Sequence, residues 1–324
     1  MGFCFLSGKS MKPVRILSVV VLLVVLIGGA GLYTDLTTLT HQFASFSWWM
    51  VVPVLALASG NYLLRFSKWH YYLHIVEQPV ALGTSARVFF AGLSMSVTPG
   101  KMGELLKSYL LRQAADVPVA ASAPVVIAER LTDLLSLLLL ALFGVLSSGY
   151  GGDILVVATV LCGSVLVVAL WKPAGRFGIE MMARFKPIGR HRESLLAMQD
   201  SLFRLVGMRS LVVGVLISVV AWSLECFAFY LVLGGTGIEF GLGQSVFVYS
   251  LGTIAGAVSM LPGGLVATEA SMVFLLAELF SAAGPSAAVT SVLIIRLCTL
   301  WFAVLVGLAG LGLVRRELAK KVVS

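Results

Sequence analysis

Charge is what this sequence has least of. Lys, Arg, Asp and Glu together supply 12% of its 324 residues, roughly half the share in an ordinary soluble domain. Water is therefore not its main solvent, and a soluble catalytic domain of roughly 100 residues or more has nowhere to fit. Cysteine is also sparse: Cys4, Cys162, Cys226 and Cys298 show no CxxC spacing, and three of them lie in apolar runs where a thiol packs as a small hydrophobe. There is no P-loop, no GxGxxG after a strand, no GxSxG and no DxD-like acidic pair. His70 and His74 have the i, i+4 spacing of a metal pair, but no third ligand is nearby and the glutamate of an HExxH site is missing. No metal and no cofactor are expected.

What the chain has instead is long hydrophobic runs, with 59% of its residues hydrophobic. Val14 to Tyr33, Trp48 to Phe66, Ala121 to Leu146, Ile154 to Trp171, Leu211 to Leu233 and Ala287 to Val314 approach or exceed the ~20 residues that carry a helix across a bilayer. Val14 to Tyr33 follows Lys9, Lys12 and Arg15 as a signal peptide would, but it is longer than the usual apolar core and Gly28 to Gly31 is a weak cleavage site. It is read as an uncleaved first span.

Two further apolar stretches break at Pro-Gly. Val88 to Val97 runs into Thr98-Pro99-Gly100-Lys101-Met102-Gly103-Glu104, and Val246 to Met260 into Leu261-Pro262-Gly263-Gly264. Proline lacks the N–H donor and glycine is a poor helix former, so backbone groups are left unpaired at membrane depth, which hydrocarbon does not tolerate unless protein or water surrounds them. Both stretches read as broken or re-entrant hairpins, over 85–112 and 244–283. Two ordinary spans kinked at proline are the alternative.

The +8 formal charge lies in short loops between apolar runs, where the positive-inside rule accounts for it without nucleic acid. With the N-terminus inside, Thr34 to Ser47, Ser147 to Asp153 and Gly234 to Gly243 fall outside, and none carries Lys or Arg. Both termini are then cytoplasmic, in a cell (inner) membrane. The basic segment Lys172 to Arg209 reads as amphipathic helix on the anionic inner leaflet, and the hairpins enter from opposite faces. Each hairpin carries Pro-Gly and then a glutamate, and each is followed at a similar interval by Arg-Leu-x-x-Leu, at Arg130 to Leu134 and Arg296 to Leu300. That is the pattern of an inverted repeat. The expected fold is one all-α polytopic membrane domain over 1–324, with about six full spans and two such hairpins.

Ionisable groups inside spans are functional candidates, because each costs at least ~2.5 kcal/mol at the centre of an inserted helix. Glu129, Arg130 and Asp133 share a helix at i, i+3 and i, i+4 spacings, so a structural ion pair is the competing reading. Arg296 lies about nine residues into an apolar helix, roughly 14 Å deep. With no acid near it in sequence, its partner comes from another helix or from a ligand, and arginine's planar fork suits phosphate. Lys101, Glu104 and Lys107 join cations to a Gly-containing turn, fit for an anionic headgroup or simply a solvated loop. Asn61 and Arg65 lie one turn apart, where snorkelling also explains Arg65. Glu225, three residues after Trp222, is the isolated mid-span acid.

The ordered set Asn61 with Arg65, Pro99-Gly100-Lys101-Met102-Gly103-Glu104 with Lys107, Glu129-Arg130 with Asp133, Trp222 with Glu225, Pro262-Gly263-Gly264-Leu265 with Glu269, and Arg296 resembles the lysylphosphatidylglycerol synthase transmembrane-region family, also described as flippase-like membrane domains. The resemblance covers nearly the whole chain. In bifunctional members such a domain is fused to a cytosolic domain that transfers lysine from its tRNA to phosphatidylglycerol, and the membrane part is assigned to moving the product across the bilayer. The resemblance implies the flippase-like half alone, as in stand-alone relatives accompanying polyprenyl-linked sugar or hopanoid pathways. The chain departs from the family pattern at Val266-Ala267-Thr268, where a glycine is expected soon after Leu265.

The leading expectation is a lipid flippase or lipid-binding transporter for an anionic or glycosylated/polyprenyl lipid, with the residues of this ordered set binding its headgroup and Arg130 and Arg296 contacting it from opposite halves. A lipid-modifying enzyme using Glu104, Glu129 or Glu225 as base, or a scaffold partner of a lipid or glycan biosynthetic enzyme, are the alternatives. The topology has a direct check. Cysteines placed in Thr34 to Ser47, Ser148 to Asp153 and Gly234 to Gly243 are expected to react with an impermeant thiol reagent from outside, and labelling of Lys172 to Arg209 from that side would refute the scheme.

Overall fold

A computed structural model of the chain describes residues 36–98, 103–149, 152–171, 192–280 and 284–323, with isolated positions between 172 and 191. The first apolar run Val14 to Tyr33, the tip residues Pro99, Gly100 and Lys101, and most of the basic segment before Arg192 lie outside the described residues. The described residues are helical, with no strand among them. A short helix α1 (Leu36–Ser45) leads through a 3₁₀ turn at Trp48–Met50 into α2 (Val51–Ile75). Then come α3 (Leu82–Leu93), α4 (Leu106–Ala115), α5 (Val119–Ser148) and α6 (Gly152–Leu170). After α7 (Arg192–Leu205) follow α8 (Met208–Gly235), α9 (Leu242–Val258), a 3₁₀ turn at Pro262–Gly264, and α10 (Ala267–Phe274), which a π-helical turn extends through Leu279. The chain ends with α11 (Pro285–Arg296), a π turn over Leu297–Trp301, and α12 (Phe302–Val323).

Four helical stretches, Trp48–Ile75, Val119–Ser148, Met208–Gly235 and Pro285–Arg316, are long and apolar enough to cross a membrane. α6, an apolar helix of 19 residues, stands outside that set. The outward faces are apolar, with Val52 72% and Leu146 77% exposed, which water would penalise and hydrocarbon does not. Trp48 and Trp49, exposed at the head of α2, suit a headgroup belt. α2 runs nine residues beyond the apolar run that ends at Phe66. Lys68, expected in a cytoplasmic loop, is instead fully buried on this helix, because three hydroxyl and carboxylate partners await it there.

Local signals set the ends. Asp116 and Gly149, both at positive φ, terminate α4 and α5, and Pro285 opens α11 where its missing N–H has no intrahelical acceptor. Each broken stretch folds as a helix, a non-helical tip and a returning helix: α3 with α4, and α9 with α10. The tips touch. Gly263 N–H points at the Thr98 carbonyl at 3.5 Å, and a Cβ on Gly263, whose φ is +62°, would stand 3.3 Å from the Val97 Cα. Around this meeting point α2 packs along α8, α9 against α5, and α12 against α3.

The last of these crossings is backbone on backbone. A Cβ on Gly307 would stand 2.5 Å from the Leu93 carbonyl carbon and 2.6 Å from the Ser94 Cα, so Gly307→Ala must lift α12 from α3. A loss of about 1–3 kcal/mol, the range for overpacking, is expected as a lower melting temperature in detergent. Val266, in the Val266-Ala267-Thr268 stretch that departs from the family pattern, has φ +70° with ψ −52°, strained for a β-branched residue. Val266→Gly is expected to raise the melting temperature by relieving about 1 kcal/mol of that strain, and an unchanged or lower value would show that the turn carries none.

Candidate functional site

α5 presents Glu129, Arg130 and Asp133 within one turn, and each is answered from a different element. Lys68 on α2 donates to Asp133 Oδ1 at 2.6 Å, to Ser218 Oγ of α8 at 2.6 Å and to Thr132 Oγ1 at 3.2 Å, which uses the three donors of an ammonium. Lys107 on α4 donates to Glu129 Oε2 at 2.6 Å and lies 4.5 Å from the centre of the Trp69 ring and 5.1 Å from that of Phe89. Arg130 Nη2 donates to Glu104 Oε2 at 2.6 Å and its Nη1 lies 3.4 Å from Asp133 Oδ2. Removing one member of such a buried pair costs about 3–5 kcal/mol, since the other charge is stranded. The network locks the first hairpin to α2, α5 and α8.

The second half repeats part of this arrangement. Glu269, at the start of α10, accepts Arg296 Nε at 2.6 Å, and Arg296 Nη2 donates to the Gly263 carbonyl at 2.8 Å. Arg296 thus satisfies backbone that the Pro262–Gly264 turn has released. The sequence separations correspond: 26 residues from Glu104 to Arg130, and 27 from Glu269 to Arg296. Tyr62 of α2 donates its hydroxyl to the Thr299 carbonyl at 2.6 Å, inside the π turn that follows Arg296.

Where the two tips meet, the halves enclose a cleft of about 600 Å³, its open side included. Tyr62 and Arg65 of α2 line one wall with Ser96 and Glu104 of the first hairpin; Trp222 and Glu225 of α8 and Tyr249 and Thr253 of α9 line another; Gly263, Gly264, Thr268, Arg296 and Thr299 complete it. Arg65 is held loosely. Its Nη2 lies 4.0 Å from Glu104 Oε1, its guanidinium lies 5.9 Å from the centre of the Trp222 ring, and its buried Nε has no partner. Glu269 Oε2 and Trp222 Nε1 are likewise buried without a partner. Glu225 accepts the Tyr249 hydroxyl at Oε2, at 2.6 Å.

Of the residues singled out in the sequence, Arg65, Glu104, Trp222, Glu225, Gly263, Gly264 and Arg296 come together on the cleft, and Glu269 joins it through Arg296. Lys107, Glu129, Arg130 and Asp133 form the supporting network and are not among the lining residues. Of the three arginines, Arg65 and Arg296 line the cleft and Arg130 does not. Asn61, fully buried, donates to the Ala221 carbonyl at 2.8 Å and ties α2 to α8. Gly103 N–H donates to Thr98 Oγ1 at 2.8 Å across the first tip, whose Pro99, Gly100 and Lys101 lie outside the described residues. Pro262 opens the second turn. Sequence reading missed Lys68, Tyr62 and Tyr249. Lys68 had a signal, its i, i+3 spacing from Arg65 on one helix face, whereas the two tyrosines carry none inside apolar runs. His70 Nδ1 meets Ser85 Oγ at 3.1 Å and His74 Nδ1 meets the His70 carbonyl at 2.9 Å; no group of three metal-ligating side chains occurs among the described residues.

Known proteins resemble this chain in sequence. Two membrane proteins of Methanothermobacter thermautotrophicus, both named UPF0104 membrane protein, are each 22% identical to this chain, one over 244 residues (68% of this chain, 72% of the relative) and one over 262 residues (69% and 72%). The profile of the family described as lysylphosphatidylglycerol synthase TM region matches residues 15–307, a stretch containing the hairpin tips, the ion network and the cleft. Four long apolar helices and this match make the chain a multi-pass membrane protein, and it belongs to the lysylphosphatidylglycerol synthase TM region family.

Proposed function

We propose that this protein moves a phosphate-bearing lipid, anionic or polyprenyl-linked, between the leaflets of the cell membrane by alternating access to the cleft. The observation that carries the reading is the cleft itself: it opens where two broken hairpins meet and takes one arginine from each half, Arg65 and Arg296, with Arg65 Nε unpartnered. A guanidinium with a spare donor in a polar crevice suits a phosphate. Trp222, Leu300 and Ala303 on the same walls offer apolar surface for the start of an acyl or prenyl chain. Binding at the junction of two halves is how transporters with broken helices work.

The transport reading includes an inverted repeat, α2 to α5 against α8 to α12, and six spans with both termini cytoplasmic. Its support is reciprocal packing, α9 of the second unit on α5 of the first and α3 of the first on α12 of the second. Corresponding glycines add to it: Gly92 backs onto Lys107 in the first hairpin as Gly252 backs onto Met272 in the second. α7 (Arg192–Leu205), the described part of the basic segment, would lie on the inner leaflet.

The test is reconstitution into liposomes carrying fluorescent phosphatidylglycerol. Accelerated exchange between leaflets with unchanged lipid chemistry supports transport, whereas a new lipid species supports the enzyme alternative; failure of both with a co-purifying biosynthetic enzyme supports the scaffold. Arg65→Ala is expected to slow exchange at least about tenfold, the loss of ~1.4 kcal/mol or more of a charge-assisted contact, with a smaller fall in melting temperature than Arg296→Ala because Arg65 has only a 4.0 Å ion pair and the Trp222 ring contact to lose. Arg296→Ala is expected to lower the melting temperature as well, since it strands Glu269 and the Gly263 carbonyl, and Arg296→Lys to impair both less.

A further inference from the structure

The headgroup cleft carries a carboxylate that phosphate binding must displace or neutralise. Formal charge in the first-half network is uneven: Arg65, Lys68, Lys107 and Arg130 stand against Glu104, Glu129 and Asp133. Glu104 is already shared among Arg130 at 2.6 Å, Lys107 at 3.9 Å and Arg65 at 4.0 Å. In the second half Arg296 and Glu269 balance each other at 2.6 Å. A fourth carboxylate, Glu225, stands outside these pairs and lines the same cleft as Arg65 at 5% exposure. Arg65 sits over the Trp222 ring, and Trp222 and Glu225 lie on one face of α8 at i, i+3 spacing.

A phosphate arriving at Arg65 would add a negative charge to a cleft already lined by Glu104 and Glu225, and like charges crowded into one partly buried site do not all stay ionised. We propose, resting on the lipid reading above, that the cleft takes up an anionic phosphate headgroup together with one proton from water, and that Glu225 carries it. The groups facing Glu225 fit that task. Tyr62 and Arg65 come from α2, Glu104 from the first hairpin, Tyr249 from α9 and Arg296 from α11, with Cys226 beside it on α8. Tyr249 donates to Glu225 Oε2 at 2.6 Å; once the carboxylate is protonated, the same pair is held with Glu225 O–H donating to the tyrosine oxygen. The bound state then has the charge of the empty one, so the headgroup crosses without net charge movement.

The experiment is isothermal titration of dioctanoyl phosphatidylglycerol into the full chain in neutral detergent, in two buffers of different ionisation enthalpy, which counts protons taken up per lipid bound. Wild type is expected to take up about one proton near pH 7, and Glu225→Gln to bind the lipid with none. Binding without proton uptake in wild type, or uptake unchanged in Glu225→Gln, overturns the inference and leaves the lipid reading standing. Absence of binding at every pH overturns the lipid reading and the inference with it. Should Glu225→Gln fail to give monodisperse protein, Tyr249→Phe replaces it: the pH of half-maximal uptake is expected to shift, and an unmoved midpoint overturns the assignment.

Discussion

Backbone broken at membrane depth is the constraint around which this fold is organised. Hydrocarbon offers neither donors nor acceptors, so every peptide group released by a Pro-Gly break must be answered by protein or by trapped water. The chain answers in two ways. It seats one tip against the other, Gly263 facing Val97 and Thr98, and it brings in long cationic side chains whose other ends are fixed by carboxylates, as when Arg296 spans Glu269 and the Gly263 carbonyl. Those arginines need acids and the acids need further cations, so one requirement propagates into a network reaching from α2 to α8.

A polar centre follows from that network. Side chains recruited to satisfy the breaks also line the space between the hairpins, and the same low dielectric that makes unpaired groups costly makes the loosely held ones strong receptors. Arg65 and Arg296 illustrate the difference. Arg296 is committed to structure by two short contacts, whereas Arg65 has a distant carboxylate and the Trp222 ring. An arginine of the first kind shapes a site; one of the second kind has free donors for a ligand.

Much of this was legible in the sequence because membrane solvent imposes strong patterns. Pro262-Gly263 marked the turn between α9 and α10, and Glu129, Arg130, Asp133 and Arg296 stood out as charges inside apolar runs. Family membership was legible from the ordered set of these motifs. Partnerships were not. Nothing local tells that Arg296 pairs with a glutamate 27 residues earlier or that Lys107 reaches Glu129, since tertiary pairing depends on how helices cross. Lys68 was lost for a related reason: hydropathy falls at Arg65 and Lys68, so an apolar window ends the span at Phe66 although the helix continues to Ile75. The unexpected Val266 had the opposite fate, its departure from the family pattern falling on a backbone position with positive φ.

The crossing of α12 over α3 has a mechanical side. Packed helices ordinarily mesh, ridges of side chains seated in grooves, and sliding one along the other forces those ridges to climb and rotamers to change. Gly307 and Gly310 remove the ridges: the helix rests on the main chain of Phe90, Ala91, Leu93 and Ser94. Where main chain lies on main chain, the distance between the two helices is set by the backbones themselves, so a single added carbon at Gly307 or Gly310 acts as a wedge on the hairpin arm.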